Sequence, residues 1–154
     1  MDFWTTIKLR RSVRNFDAEK KVPENHIKKI LEAGQLAPSA GGMRDWHFEV
    51  IRDQSIRDQL SLDAMGQKFI SQAPVAIIVC ADVTKSEHTY GERGKNLYTI
   101  QDTAAATQNM LLAVTDLGLA SCWVGAFDEE KVSETLKLSS NLRAVAILPV
   151  GYAK

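Results

Sequence analysis

The sequence is poor in the residues that build metal and disulfide chemistry. Its only two cysteines, Cys80 and Cys122, form neither a CxxC motif nor a metal-ligand spacing. The three histidines, His26, His47 and His88, are scattered, and none has an HExxH-like neighbour. These absences argue against metal catalysis and against a disulfide framework, and they favour a reduced, cytoplasmic setting.

The chain also lacks a long apolar run and an excess of charge of either sign. The longest nearly apolar runs, Ala73–Ala81 and Ala144–Val150, are too short for membrane-spanning helices. The opening residues Met1–Trp4 contain no basic region followed by an apolar run, so we expect no signal peptide. Among 154 residues, 19 lysines and arginines balance 19 acids, which argues against a general nucleic-acid binder. We therefore expect a single domain over residues 1–154 with no membrane or nucleic-acid partner.

Strand and helix patterns are mixed along the chain, with no internal repeat. Val75–Ala81 is continuously apolar and β-branched, which predicts a strand covered on both faces. Asn96–Gly118 has an apolar stripe at helical spacing and no proline, which predicts a long helix. The connection Asp82–Lys95 is too short for a large lid. The other predictions are helices at 3–9, 24–37, 55–65 and 129–138, a turn at 67–72, and strands at 47–52, 121–126 and 143–150. The fold class is α/β or α+β, a sheet sandwiched by helices.

A basic segment, RRSVRNF at residues 10–16, stands out in a chain with no net charge. Three guanidiniums (Arg10, Arg11 and Arg14) and the hydroxyl of Ser12 suit a phosphate monoester, because arginine donates paired hydrogen bonds in a fixed fork. The same residues are as typical of a solvated basic turn, a phosphorylation site or a nucleic-acid patch. The segment alone therefore leaves all of these alternatives open.

Two further segments combine small residues with aromatic anchors. LAPSAGG at residues 36–42 ends a helix and lets the backbone approach a ligand, and a strand begins behind Trp46. In GLASCWVGAF at 118–127, a predicted strand ends at the small residues Gly125 and Ala126. Their exposed backbone N–H groups could donate hydrogen bonds to an electron-rich ring atom of a ligand. Taken separately, the first segment is more typical of a glycine-rich turn with a buried tryptophan, and Cys122 in the second is typical of a packed apolar residue.

Taken together, these segments resemble the nitroreductase family of flavoproteins. RRSVRNF, LAPSAGG with WHFEVI, QDTAAATQNMLLAV at 101–114 and GLASCWVGAF occur in the order and spacing of that family and cover essentially the whole chain. The resemblance implies an α+β sandwich with a central, mostly antiparallel sheet flanked by helices. It also implies a homodimer built on the long central helix, although a monomer with a central helix explains the periodicity equally well.

The resemblance also implies an FMN site and names its residues. Arg10, Arg11, Ser12 and Arg14 would hold the phosphate and ribityl chain, and Gly125 and Ala126 would meet the flavin N5 and O4 through their backbone. Pro38, Ser39 and Ala40 would edge the isoalloxazine, usually from the partner subunit. Lys68 would lie toward the N1/O2 edge, unless it is only a surface charge.

Three departures from the family pattern bear on this site. The side-chain amides that usually contact the flavin are replaced by the sequence Gly42–Asp45, where Arg44 either substitutes for one of them or is a surface residue paired with Asp45. Only Lys154 stands where relatives carry several basic residues beyond the last strand, which implies weaker phosphate binding. The short connection after Asp82 implies an open pocket roofed by Tyr90 and Arg93, unless these residues belong to an exposed loop.

The function implied by the resemblance is NAD(P)H-dependent oxidoreduction by a ping-pong mechanism. NADH or NADPH would reduce FMN, and a small-molecule acceptor such as a nitroaromatic or quinone would reoxidise it. No side chain need act as acid or base in the first step, because the cofactor carries the hydride. The alternatives are a non-enzymatic FMN-binding or regulatory dimer, and an unrelated α/β domain that binds anions or nucleic acid through residues 8–14.

Overall fold

The computed structural model describes all 154 residues, and its centre is one antiparallel sheet. Strands β1 (Trp46–Ile51), β2 (Val75–Asp82), β3 (Ala120–Ser121) and β4 (Leu142–Gly151) lie in the order β1-β2-β4-β3, and every neighbouring pair is antiparallel. The expected helix-flanked, antiparallel α+β sheet is confirmed. The helices are α1 (Phe3–Leu9), α2 (Glu24–Gln35), α3 (Gln54–Asp63), α4 (Phe69–Gln72), α5 (Val83–Arg93), α6 (Thr99–Asp116) and α7 (Glu129–Leu136).

Strand β2 is buried along almost its whole length because its alternate side chains feed two separate cores. Val75, Ile77 and Val79 pack with Met110 of α6 and with residues of α2. Ala76, Ile78 and Cys80 point the other way, into a core shared with α3, α4 and α7. Because successive side chains of a strand point to opposite faces, this single apolar run supplies both faces of the sheet. Helices cover both faces, as predicted.

The connection at 82–95, for which no helix is predicted, is mostly helix α5. The side chain of Asp82 accepts a hydrogen bond from the Lys85 N–H at 3.1 Å, which caps the helix start. Gly91, at φ +59°, interrupts the helical backbone before its end. Asp82 is a suitable N-cap residue, but the polar composition of the segment and Gly91 give it no apolar stripe that would predict the helix.

The predicted long helix at 96–118 is shorter, because Gly94–Tyr98 forms a π-helical turn before α6 begins. Gly94 is buried there, and an added Cβ would lie 2.8 Å from the Tyr90 Cβ and against the Ser86 carbonyl. This close approach of α5 requires a residue without a side chain. Gly118, at φ +71°, follows the last turn and confirms the predicted stop.

The predicted strand at 121–126 is mostly absent. Only Ala120–Ser121 pair with β4, and the chain returns to it once, where Val124 and Ile147 exchange hydrogen bonds of 2.9 and 3.0 Å. The Ser121 carbonyl accepts a hydrogen bond from the Val13 N–H at 2.9 Å. Ser121 thus lies between β4 and the segment that follows α1, and the chain leaves β4 after it.

The remaining predicted elements agree with the structure to within a few residues. Helix α1 has the predicted bounds, and Asp128 caps α7, as expected, by accepting from the Lys131 N–H at 3.2 Å. Helix α7 ends two residues before the predicted end because Lys137 is left-handed, at φ 52°. No helix of the structure combines the length and apolar character that crossing a membrane requires.

We predict that Gly34→Val lowers the free energy of unfolding by about 2 kcal/mol, the usual cost of overpacking a core. A Cβ at Gly34 would lie 2.9 Å from the Phe48 ring and 3.0 Å from Met110, where α2 crosses β1 and α6. Urea unfolding measures the change. Glu32→Val, an exposed site on the same helix, is the matched control and should cost only about 0.5 kcal/mol. Equal losses in the two variants would contradict the close packing at Gly34.

Candidate functional site

The basic segment lies directly after α1 and carries charge that the fold does not neutralise. Arg11 and Arg14 are exposed and Arg10 is half-buried, and none of the three forms an ion pair. Arg11 makes only one bond, from its Nε to the Leu9 carbonyl at 3.3 Å. Ser12 is also exposed. Three free guanidiniums beside a hydroxyl form a surface that favours an anion.

Backbone hydrogen bonds hold the basic segment to the sheet and to the C-terminus. Val13 donates to the Ser121 carbonyl at 2.9 Å, and Lys154 donates its N–H to the Asn15 carbonyl at 3.1 Å. Phe16, which is buried, forms an isolated bridge with Ala153. The predicted basic partner Lys154 therefore lies beside the arginines, brought there by pairing of the two ends of the chain.

Gly125, Ala126 and Lys68 lie close together and are linked to the basic segment through α4, because Phe69, next to Lys68, packs with Val13 and Phe16. Gln67 reaches across to donate its side-chain amide to the Ala126 carbonyl at 2.9 Å, which places Lys68 next to that loop. Gly125 and Ala126 are exposed, and neither of their N–H groups donates a hydrogen bond within the chain. Two free backbone donors on a loop near an uncompensated basic segment suit an electron-rich ligand.

The second predicted segment, at Pro38–Arg44, is held by a buried carboxylate. The Ala40 N–H donates to both oxygens of Asp102, at 3.1 and 3.0 Å, and the Arg44 N–H donates to Ser39 Oγ at 2.8 Å. Gly41, at φ +58°, and Arg44, at φ 51°, both have left-handed backbone conformations. The turn is therefore shaped by specific bonds, and its Pro38 is exposed.

Tyr90 and Arg93 lie with this second segment, although not as a roof over a pocket of the single chain. The Tyr90 hydroxyl sits against Gly41, and the Tyr90 ring meets the Tyr98 ring edge-on at 5.3 Å. Arg93 donates from Nε to the Tyr98 hydroxyl at 3.0 Å. Neither residue lines a cavity, and both belong to a helix and not to the exposed loop that the sequence left open.

The structure does not join all the predicted site residues in one chain. The Ala40 segment contacts Asp102, near the start of α6, whereas the basic segment follows α1, which contacts Asp116 at the end of α6 through Thr6 (3.5 Å). Fourteen residues of helix correspond to about 21 Å. The two groups of predicted residues therefore lie toward opposite ends of α6.

An apolar groove lies along the second half of α6, where this helix meets α1 and the end of α2. It has a volume of about 330 Å³ and is lined by Phe3, Leu36, Leu112 and Ala113, among others. Phe3 is 64% exposed and Leu36 is 70% exposed, and Trp4 beside them is 67% exposed. Exposed large apolar side chains this close together are typical of a protein interface.

The proposed pairing of Arg44 with Asp45 is wrong, because Asp45 is completely buried and forms no ion pair. Its carboxyl instead meets that of Asp102. Burial, and then the neighbouring Asp45 carboxyl, raise the pKa of Asp102 to about 6. No role in positioning the Pro38–Arg44 turn is predicted for either acid from the sequence. The signal available was Asp102, an acid on the buried face of α6.

Neither cysteine is placed for nucleophilic chemistry. Burial, and secondarily the charge of Glu49, raise the pKa of the Cys80 thiol to about 12, so a reactive thiolate is disfavoured. Cys122 is also buried, which agrees with the expected role of a packed apolar residue.

Comparison with known proteins gives matches over nearly the whole chain. The model of the nitroreductase family matches residues 7–67 and 59–152. A curated relative from Archaeoglobus fulgidus, whose name classes it as an NADH dehydrogenase/NAD(P)H nitroreductase, is 35% identical over 152 residues, which are 96% of this chain and 83% of the relative.

Solved structures agree with these matches. A nitroreductase family protein from Clostridium novyi NT superposes with a TM-score of 0.90 at 29% identity, over 100% of this chain and 86% of that one. An FMN-dependent nitroreductase from Clostridium difficile R20291 superposes with a TM-score of 0.83 at 30% identity, over 97% of this chain and 86% of that one. The resemblance stated from the sequence motifs is confirmed.

We predict that Asp102 makes the protein less stable as the pH rises from about 4 to about 6. Its pKa is raised in the folded state, so the folded protein holds a proton that the unfolded chain has already released. The difference in unfolding free energy between wild type and Asp102→Asn should therefore fall over this range and stay level above it.

Asp58→Asn is the control for this measurement. Asp58 is exposed, and hydrogen bonds from Ser71 and Gln54 lower its pKa, so its contribution should be lost only as the pH falls below about 4. A wild-type advantage over Asp102→Asn that grows between pH 4 and pH 6 would contradict the assignment.

Proposed function

Because this chain belongs to the nitroreductase family, we propose that it is an FMN-dependent oxidoreductase that uses NADH or NADPH. FMN supplies the redox chemistry, accepting a hydride from the nicotinamide and passing electrons to an acceptor. The observation that carries the proposal is the pair of unused N–H donors at Gly125 and Ala126, in a chain whose three arginines at residues 10–14 are also unpaired.

The basic segment would hold the FMN phosphate. Arg10, Arg11 and Arg14 provide charge that no acid of the chain neutralises, and Ser12 adds a hydroxyl. Charge-assisted hydrogen bonds contribute about 1.5–3 kcal/mol each, so three or four of them approach the roughly 8 kcal/mol of micromolar binding. Lys154 lies close enough to the segment to add a fourth charge, through its bond to Asn15.

The loop at Gly125 would meet the redox-active part of the flavin. Its two free N–H groups would favour negative charge on the part of the flavin next to them. Lys68, held near this loop by Gln67, would add positive charge at the pyrimidine edge. These residues bind and polarise the cofactor, and no side chain of the chain is assigned as acid or base.

We propose a homodimer in which each flavin site uses both subunits. Within one chain, Pro38, Ser39, Ala40 and Arg44 lie toward the opposite end of α6 from the basic segment, so a second copy is needed to bring them to the same flavin. The apolar groove lined by Phe3 and Leu36 would be covered in this dimer.

The electron acceptor would enter after the oxidised nicotinamide leaves, in a ping-pong cycle. Tyr90 and Arg93 stand beside the Pro38–Arg44 turn, so in the proposed dimer they would border the entrance of the partner's site. An aromatic ring and a guanidinium suit flat acceptors that carry polar oxygens, such as nitroaromatics and quinones.

We predict that Arg10→Ala weakens FMN binding by about tenfold, since it removes one charge-assisted contact, while the fold remains intact. Fluorescence titration with FMN measures the affinity, and oxidation of NADH or NADPH with menadione measures turnover. Arg52→Ala is the matched control, because Arg52 is exposed but paired with Glu24. Unchanged FMN affinity in Arg10→Ala would contradict the phosphate assignment. Bound FMN without turnover of any acceptor would instead indicate the non-enzymatic binding dimer.

We predict that Leu36→Glu shifts the protein from dimer to monomer, because it puts a charge into the proposed interface. Multi-angle light scattering measures the mass, which should fall toward the 17.1 kDa of one chain. Leu62→Glu is the control: Leu62 is 67% exposed, against 70% for Leu36, but it lies on α3. A wild-type monomer that turns over at full rate would overturn the shared site.

A further inference from the structure

Asp45 has an unusual environment for a charged residue. It is 0% exposed, and neither of its carboxyl oxygens receives a hydrogen bond from an N–H, a hydroxyl or a cation. Its position is fixed from the backbone, because its carbonyl accepts from the Asp82 N–H at 2.9 Å, just before β1 pairs with β2. The carboxyl is therefore held in the interior with no donor of its own.

This carboxyl meets the carboxyl of Asp102. Asp102 is 7% exposed and accepts the Ala40 N–H on both of its oxygens. Asp45 and Ala40 lie at the two ends of one turn, so the pair of acids connects this turn to α6.

No cation balances this pair from any of the surrounding elements. Arg44, the nearest in the chain, is exposed and donates only its backbone N–H, to Ser39. On the neighbouring helix and π turn, Arg93 donates to Tyr98, Lys95 pairs with Glu87, and the Asp82 side chain caps α5. On β1, His47 pairs with Glu49.

Two adjacent buried carboxyls without a cation cannot both be charged at low cost. A single proton between them removes the repulsion and supplies the missing donor, since one carboxyl then donates its O–H to the other. Asp102 keeps a lone pair for the Ala40 N–H in that arrangement.

We propose that Asp45 and Asp102 share one proton, and that this acid pair positions the Pro38–Ala40 segment against the flavin. The shared proton involves only residues of this chain and requires no bound flavin. The positioning role rests on the proposed function, in which Pro38, Ser39 and Ala40 border the cofactor. Both acids are positioning residues, because each acts through the turn and neither touches the flavin.

The pair makes the geometry of the turn depend on pH. Its proton is lost near pH 6, in line with the raised pKa of Asp102. Above that pH, the two carboxylates repel, which pushes Asp45 and the turn away from α6. Asp45→Asn avoids this change, because an amide of the same size donates to Asp102 at every pH.

The experiment compares the FMN affinity of wild type and Asp45→Asn from pH 5 to pH 8. The affinities should be equal at pH 5, and the variant should bind about tenfold tighter at pH 7.5, where only the wild type carries the repelling pair. The FMN phosphate itself titrates near pH 6, but it affects both proteins equally and cancels in the ratio of their Kd values. Asp58→Asn, with its exposed carboxyl on α3, should give a ratio of about one at every pH.

A second readout needs no flavin. The carboxyl ¹³C shift of Asp102 in the protein alone should titrate near pH 6 in wild type and at lower pH in Asp45→Asn. An ordinary aspartate titration in wild type overturns the shared proton. A raised titration with a Kd ratio that does not change with pH overturns the positioning role. Failure of wild type to bind FMN at any pH contradicts the proposed function and with it the positioning role, and the ¹³C titration still decides the shared proton.

Discussion

Helix α6 is the rigid spacer on which the account of this protein depends. Its buried face packs against β2 through Met110 and Val114, which fixes its direction across the sheet. Its start holds the Ala40 turn through Asp102, and its end, 14 residues and about 21 Å later, holds α1 through Asp116. The basic segment and the Ala40 turn cannot approach each other within one chain unless this helix breaks. In the proposed function, a flavin site that uses both would therefore need two copies.

The basic half of the site owes its exposure to backbone pairing. Backbone hydrogen bonds from Val13 to Ser121 and from Lys154 to Asn15 fix the position of the basic segment. Its arginine side chains are therefore not needed to hold the segment in place. The guanidiniums thus remain available for an anion. The same principle applies at Gly125 and Ala126, where the chain leaves the sheet after Val124 and keeps two N–H groups unused. Binding capacity here results from donors that the fold leaves unsatisfied at its surface.

The sequence predicted the elements whose signals are local and repetitive. The apolar run Val75–Ala81 and the capped helix after Asp128 were found because periodicity and caps are visible without tertiary context. The strand at 121–126 is overpredicted because no local signal shows that the chain leaves β4 after Ser121, a pairing with residues about 30 positions further along. The Asp45–Asp102 pair was missed for the same reason, since nothing local shows that two acids 57 positions apart meet inside the protein. The motifs name the residues of both halves of the candidate site, but only the structure shows that α6 separates them.

The central claim, one flavin site made by two subunits, is tested most directly by complementation. One variant carries Arg10→Ala with Arg14→Ala, and the other carries Ser39→Trp, each checked for folding by urea denaturation and each expected to bind little FMN alone. After mixed refolding, half of the dimers are heterodimers, and each of these has one site with intact residues from both subunits. FMN should then occupy about a quarter of all sites. Recovery of no binding above that of the two separate variants would show that each site is built within one chain, and would contradict the account.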